Sequence, residues 1–193
     1  MSAQDLPIEP GSRWRDVEDV ALLRRAAQQV PGAVEALVDR HGERLCSFLT
    51  RLVRDAAWAE DLTQETLLRA LRESGQYDPQ WPLCTWLFRI GRNLALDLLR
   101  REVARSARDR RAHAATEVPP AVVTAEHHEF QALLEQALQQ LPEGFRTVFV
   151  LRDGENLTYE EIAAVLGISV KTVSSRLHRA RQQLRALLAR HQR

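Results

Sequence analysis

The chain has 193 residues, 27 basic against 26 acidic side chains for a net charge of +1, and 45% apolar residues, enough for one ordinary domain or two small ones. No run approaches the roughly 20 apolar residues of a membrane helix, and the N-terminus, with Asp5, Pro7, Glu9 and Pro10, lacks an apolar signal-peptide segment, so a cytoplasmic protein is expected. Cys46 and Cys84 have no Cys-x-x-Cys spacing and read as reduced core residues rather than as a disulfide framework or a zinc site. Eight Gly and eight Pro leave long uninterrupted segments, which favours an all-helical fold.

The first helical segment carries Val20, Leu22 and Leu23 and stops near Pro31-Gly32. The second runs from about Ala33 through Leu37, Leu45, Phe48, Leu49 and Leu52. The third starts after Asp55, a suitable N-cap, and continues to about Glu73. Gly75 to Pro82 reads as a loop, and a fourth helix spans about Leu83 to Arg101 with Leu87, Ile90, Leu94 and Leu98 as its core stripe. Residues 102–125 lose the apolar period and contain Val118-Pro119-Pro120, the mark of a flexible linker whose first part can continue the helix. Periodicity returns near Glu126, breaks at Pro142-Glu143-Gly144, and resumes at about Phe145 to Arg152, Tyr159 to Leu166 and Val170 to Leu188. The expected architecture is all-α: an N-terminal extension (1–17), a helical domain (18–101), a linker (102–125) and a second helical domain (126–193) containing a helix-turn-helix.

Charge is unevenly distributed. Residues 1–80 hold 10 Arg against 14 acids, residues 89–116 hold 8 Arg against three acids, and the stretch from Gly167 to the end has seven basic residues and no acid. Of the basic residues 26 are Arg and one is Lys171, an excess that a phosphate-binding surface and a GC-rich gene explain equally well.

The C-terminal segment is the most specific local signal. Thr158 and Glu161 have capping-box spacing, Ile162, Ala163 and Leu166 face inward, and Gly167 suits a left-handed helix end. Ser169 can cap the next helix, whose inward residues would be Val173 and Leu177. That helix presents Lys171, Thr172, Ser174, Ser175, His178, Arg179 and Arg181 outside its apolar stripe, a face that fits the DNA major groove. A helical hairpin with a solvated basic face is the alternative.

In the fourth helix, Trp86, Arg89 and Asn93 are expected on one outward face, near Tyr77, Trp81, Arg92, Arg100 and Arg101. Aromatic rings beside guanidinium groups offer single-stranded bases a stacking platform; equally, Trp81 and Trp86 could be core residues. In the third helix Trp58, Leu62, Leu67, Ala70 and Leu71 can face inward, leaving Asp61, Gln64 and Glu65 on an acidic face that by itself reads as a solvated surface.

Five motifs, Asp61-Leu62-Thr63-Gln64-Glu65-Thr66, the run from Thr85 to Asp97, Leu141-Pro142-Glu143, the run from Thr158 to Ala163 and the run from Thr172 to Arg181, together resemble the extracytoplasmic-function sigma factors of bacterial RNA polymerase. The resemblance spans about Ala33 to Leu188. It implies that Asp61, Leu62, Gln64 and Glu65 dock on the clamp helices of the polymerase largest subunit. The helix from Thr85 with the loop before it would read and open the -10 promoter region through Tyr77, Trp81, Trp86, Arg89, Arg92, Asn93, Arg100 and Arg101. The helix-turn-helix would read the -35 element through Lys171, Thr172, Ser174, Ser175, His178, Arg179 and Arg181, beside the polymerase flap, while the linker would run towards the RNA exit path. An anti-sigma partner is also implied; a cofactor, a metal or a small-molecule substrate is not. Two departures stand out: Ser174 occupies a position where many relatives carry a basic residue, and Thr63 replaces a commoner apolar one.

Two other readings compete. A response-regulator-type DNA-binding protein, acting without being a polymerase subunit, would need alternating strands and helices and an early acidic cluster, which residues 1–100 lack. An enzyme or metal protein would have to rest on His41 and His127-His128, with no Cys partner, phosphate loop or nucleophile-base pair.

Overall fold

Asp55 opens the third helix as its spacing predicts, its carboxylate accepting the Trp58 backbone N–H at 2.9 Å. The computed structural model describes the backbone of Trp14, residues 17–109 and residues 127–191, with side chains for Trp14, 17–105 and 133–189. Its α-helices are α1 (Asp19–Ala27), α2 (Ala33–Val53), α3 (Ala56–Arg72), α4 (Leu83–Asp109), α5 (His127–Gln140), α6 (Glu143–Phe149), α7 (Tyr159–Leu166) and α8 (Val170–His191). No strand occurs among the described residues. The expected N-terminal extension, apart from Trp14 and Val17, and linker residues 110–125 lie outside the described residues.

The first half packs α2, α3 and α4 around Leu45, Phe48, Leu49, Leu83, Leu87 and Phe88. Phe48 and Phe88 meet with ring centroids 4.9 Å apart. Gly91 makes the crossing possible: a Cβ there would sit 3.1 Å from Thr66 Oγ1 and 3.3 Å from Leu45. Cys46 and Cys84 are free and half-buried, and burial pushes the Cys84 thiol up.

Helix α4 runs to Asp109, so the first part of the expected linker continues the helix begun at Leu83; the stretch has no Gly or Pro and carries Arg100–Asp97 and Arg105–Glu102 pairs one turn apart, so it stays helical without an apolar stripe. Two differences from the sequence reading have local causes. Helix α6 begins at Glu143, with Pro142 at its N-cap, and passes into a π-helical turn over Val150–Gly154; proline's missing N–H costs nothing where no helical acceptor exists. Trp14, unassigned from sequence, is only 3% exposed. Arg40 holds its segment by donating to the Trp14 carbonyl at 2.6 Å, the Val17 carbonyl at 2.8 Å and the Asp19 carboxylate at 2.7 Å.

The second half has a small core of its own, Ala137, Leu138, Leu141, Ala180 and Leu184. Its other buried residues, including Leu151, Ile162, Val165 and Leu177, are continuous with the core of the first half, because α7 packs on α4. Polar contacts line the same boundary: Arg51 pairs with Glu135 at 3.2 Å and Arg54 donates to the Gln139 carbonyl.

Candidate nucleic-acid interface

The helix-turn-helix forms as its caps predict. Thr158 Oγ1 accepts the Glu161 N–H at 3.2 Å while the Glu161 carboxylate accepts the Thr158 N–H at 2.6 Å, satisfying two donors that the helix itself cannot. Gly167 closes α7 at φ +64, and Ser169 Oγ accepts the Thr172 N–H at 3.1 Å to start α8. Ile162, Val165, Val173 and Leu177 lock the pair of helices together. Val165 takes a buried place that sequence assigned to Ala163 and Leu166, which are only partly covered.

This packing leaves Lys171, Ser174, Ser175, His178 and Arg179 exposed along α8. Thr172 and Arg181 are half-buried. The Thr172 hydroxyl lies 2.8 Å from Ser169 Oγ, and Arg181 pairs with Asp153 at 2.7 Å, a hydrogen bond that holds the Arg181 proton more tightly.

The α4 region departs from the expected outward face. Arg89, Asn93, Arg100 and Arg101 are exposed, but Trp86 is only 6% exposed and packs against Tyr77 with the rings tilted by 41° and their centroids 5.4 Å apart. Trp86, Leu87, Phe88 and Ile90 are all buried, because α4 is covered on more than one side and one apolar stripe no longer suffices. The Tyr77 hydroxyl donates to the Trp81 carbonyl at 2.7 Å, and Asp78 accepts the Gln80 N–H at 3.1 Å, shaping the loop. Burial raises the Tyr77 hydroxyl above its ordinary range. Arg92 is half-buried and faces Glu143 at 3.5 Å. Trp81, Thr85, Trp86 and Arg89 line a cavity of about 160 Å3 whose far wall is Ala164 of α7.

On α3, Asp61, Gln64 and Glu65 are exposed together, and Leu68, 48% exposed, lies on the same side one turn after Gln64. Leu62 does not join this face: at 8% exposed it lies in the core. Thr63 is buried too, its hydroxyl donating to the Ala59 carbonyl at 2.7 Å, which explains how a polar residue fits an apolar position. His41 is buried beside Asp19 at 3.3 Å. The side chains of His127 and His128 lie outside the described residues.

The chain matches Sigma-70 region 2 over residues 37–105 and Sigma-70, region 4, over residues 131–184. It is 42% identical to the ECF RNA polymerase sigma factor SigE of Mycolicibacterium smegmatis over 81% of this chain, a stretch that spans 62% of that protein. It is 39% identical to the RNA polymerase sigma factor CarQ of Myxococcus xanthus, over 86% of this chain and 95% of CarQ. Among solved structures, CnrH in complex with the cytosolic domain of CnrY aligns with TM-score 0.66 at 31% identity over 89% of this chain and 97% of that one. The sigma factor RpoE of Bartonella quintana, in complex with the anti-sigma factor NepR, gives TM-score 0.66 at 27% identity over 80% and 96%. Because region 2 occupies the part of the chain where a response regulator would carry its phosphoacceptor domain, the regulator reading is not favoured. With both regions in order and CarQ spanned over 95% of its length, the chain belongs to the extracytoplasmic-function sigma factors of RNA polymerase.

Proposed function

We propose that this chain binds core RNA polymerase in the cytoplasm, directs it to a specific set of promoters and nucleates melting of their -10 region, itself catalysing no reaction. The observation that carries this reading is the helix-turn-helix, capped at Thr158 and Ser169 so that the basic face of α8 is free, following a region 2 fold in the same chain. Lys171, Ser174, Ser175, His178 and Arg179 address the -35 element, with Thr172 and Arg181 steadying that face. Asp61, Gln64 and Glu65 dock on the clamp helices, and Trp81, Arg89, Asn93, Arg100 and Arg101 meet the -10 strand, with Arg92 joining them once released from Glu143. Residues 102–125 follow the RNA exit path. An anti-sigma factor, the kind of partner bound in the RpoE complex, would mask these surfaces until a signal removes it.

The energetics require the polymerase. Stacking one base on a protein aromatic yields roughly 1–3 kcal/mol, whereas opening duplex DNA costs about 1.4 kcal/mol for each stacked step. A bubble of roughly ten steps therefore costs about 14 kcal/mol, so capturing one or two bases can start it but cannot hold it open. Core polymerase plus this protein should start transcription at promoters that neither uses alone, with start sites mapped in vitro; failure across a genomic promoter library would remove the assignment.

A further inference from the structure

Two stripes of side chains run along the outer side of α8. Lys171, Ser175 and Arg179 recur every four residues opposite the buried Val173, Leu177 and Ala180. Ser174, His178, Arg181 and Arg185, spaced four, three and four, lie about a quarter turn round the helix from them. This second stripe borders a cavity of about 480 Å3 whose other wall is Tyr159, the first residue of α7. The Tyr159 ring is half-buried and has the Arg152 guanidinium 5.4 Å from its centre, while Arg152 is itself tied to the Leu157 carbonyl at 2.7 Å. The ring is therefore fixed, yet its hydroxyl makes no hydrogen bond to any described residue.

The charges at this cavity favour an anion. Arg181 is steadied by Asp153, which takes one of its N–H groups at 2.7 Å, and a guanidinium keeps further donors for a second acceptor. Arg185 is exposed and pairs with no described carboxylate. No described acid lines the cavity, and the short Ser174 side chain leaves it open. We propose that the cavity is a backbone anchor, in which the Tyr159 hydroxyl, Arg181 and Arg185 hold one DNA phosphate while the Lys171, Ser175 and Arg179 stripe addresses the bases. A helix lying in a major groove about 12 Å wide has a sugar-phosphate strand along each flank, and the flank of α8 towards Tyr159 is where these donors converge. Such a contact sets the register of the helix on the duplex and carries no sequence information of its own. This inference rests on the reading of α8 as the -35 helix.

The test uses holoenzyme made with the wild-type chain, Tyr159→Phe, Arg185→Gln and Arg179→Ala. Tyr159→Phe keeps the ring and its contact with Arg152, and Arg185 is exposed, so neither substitution disturbs the fold. Each holoenzyme is titrated, at several salt concentrations, with a promoter duplex, with the same duplex scrambled in its -35 element, and with a series in which one -35 phosphate at a time is replaced by a neutral methylphosphonate. One linkage is expected to matter in the wild type and to lose its effect in Tyr159→Phe and Arg185→Gln. Tyr159→Phe should weaken cognate and scrambled duplexes alike by about tenfold. Arg185→Gln should also weaken both by one common factor and lower the slope of log affinity against log salt by about 1. A changed ratio of cognate to scrambled affinity in either variant would make these residues base readers and overturn the anchor. Linkage effects that both variants leave intact also overturn it, and Arg179→Ala then separates the causes. If Arg179→Ala lowers the preference for the cognate duplex, only the anchor falls; if it does not, the -35 reading of α8 falls as well. Inorganic phosphate titrated into the full chain completes the test: binding that both variants abolish, with linkage effects intact, would assign the cavity to a free phosphorylated ligand instead.

Discussion

Arg181 pairs with Asp153 at 2.7 Å, tying the middle of the recognition helix to the π-helical turn that precedes the helix-turn-helix. Two arginines only two positions apart on α8 therefore differ in role: Arg179 is exposed, while Arg181 is held by a carboxylate of its own chain.

The first consequence is a difference between substitutions. Arg179→Ala should weaken -35 binding by roughly 1–3 kcal/mol if it makes a bidentate base contact. Arg181→Ala should weaken it less while lowering the melting temperature of the second half, because Asp153 loses its partner. Footprinting and thermal unfolding of both variants check this, and an unchanged Arg179→Ala footprint would show that the recognition face lies elsewhere on α8.

On α3, charge reversal at Asp61 or Glu65 should reduce core polymerase binding without lowering stability, since both are exposed. Leu62→Ala should do the opposite, destabilising by about 2–5 kcal/mol as expected for a buried leucine. Holoenzyme assembly on native gels, alongside denaturant unfolding, separates the two effects; normal assembly by the charge-reversed variants would count against this face.

At the -10 surface, Trp86→Ala should cost about 3–5 kcal/mol of stability through cavity formation, so a melting defect in that variant says little about base stacking. Arg89→Ala should stay within about 0.5 kcal/mol of the wild type yet slow promoter opening. Open-complex kinetics with permanganate footprinting provide the readout.

Acid stability should depend on Asp19. The hydrogen bond from His41, with a further one from Arg40, holds its carboxyl at about 2, below the ordinary 3.8. The folded value lies below the unfolded one, so this stabilisation is complete above about pH 4 and is lost as the pH falls through about 2. Asp19→Asn should be less stable at neutral pH by about 1–2 kcal/mol, allowing for screening of a partly exposed pair. The gap to wild type should narrow between pH 4 and pH 2 in denaturant titrations; a constant gap would place the stabilisation elsewhere.

The same division between near and distant partners decides how much could be foreseen. Sequence alone determined the caps at Asp55, Thr158 and Ser169, the buried pair Val173 and Leu177, the exposed acidic face of α3 and the family, because each depends on residues within one or two helical turns or on a local motif. Only the tertiary structure decided that Trp86 turns inward, that Trp14 is anchored by Arg40, and that Arg44 finds Glu155 across more than half the chain. Periodicity assigns a helix one apolar stripe, but α4 is covered by α2 and α3 on one side and by α7 on another, so its buried surface exceeds that stripe. An ion pair between residues so far apart leaves no local pattern, since either side chain would look like an ordinary solvated charge until folding brings the two together.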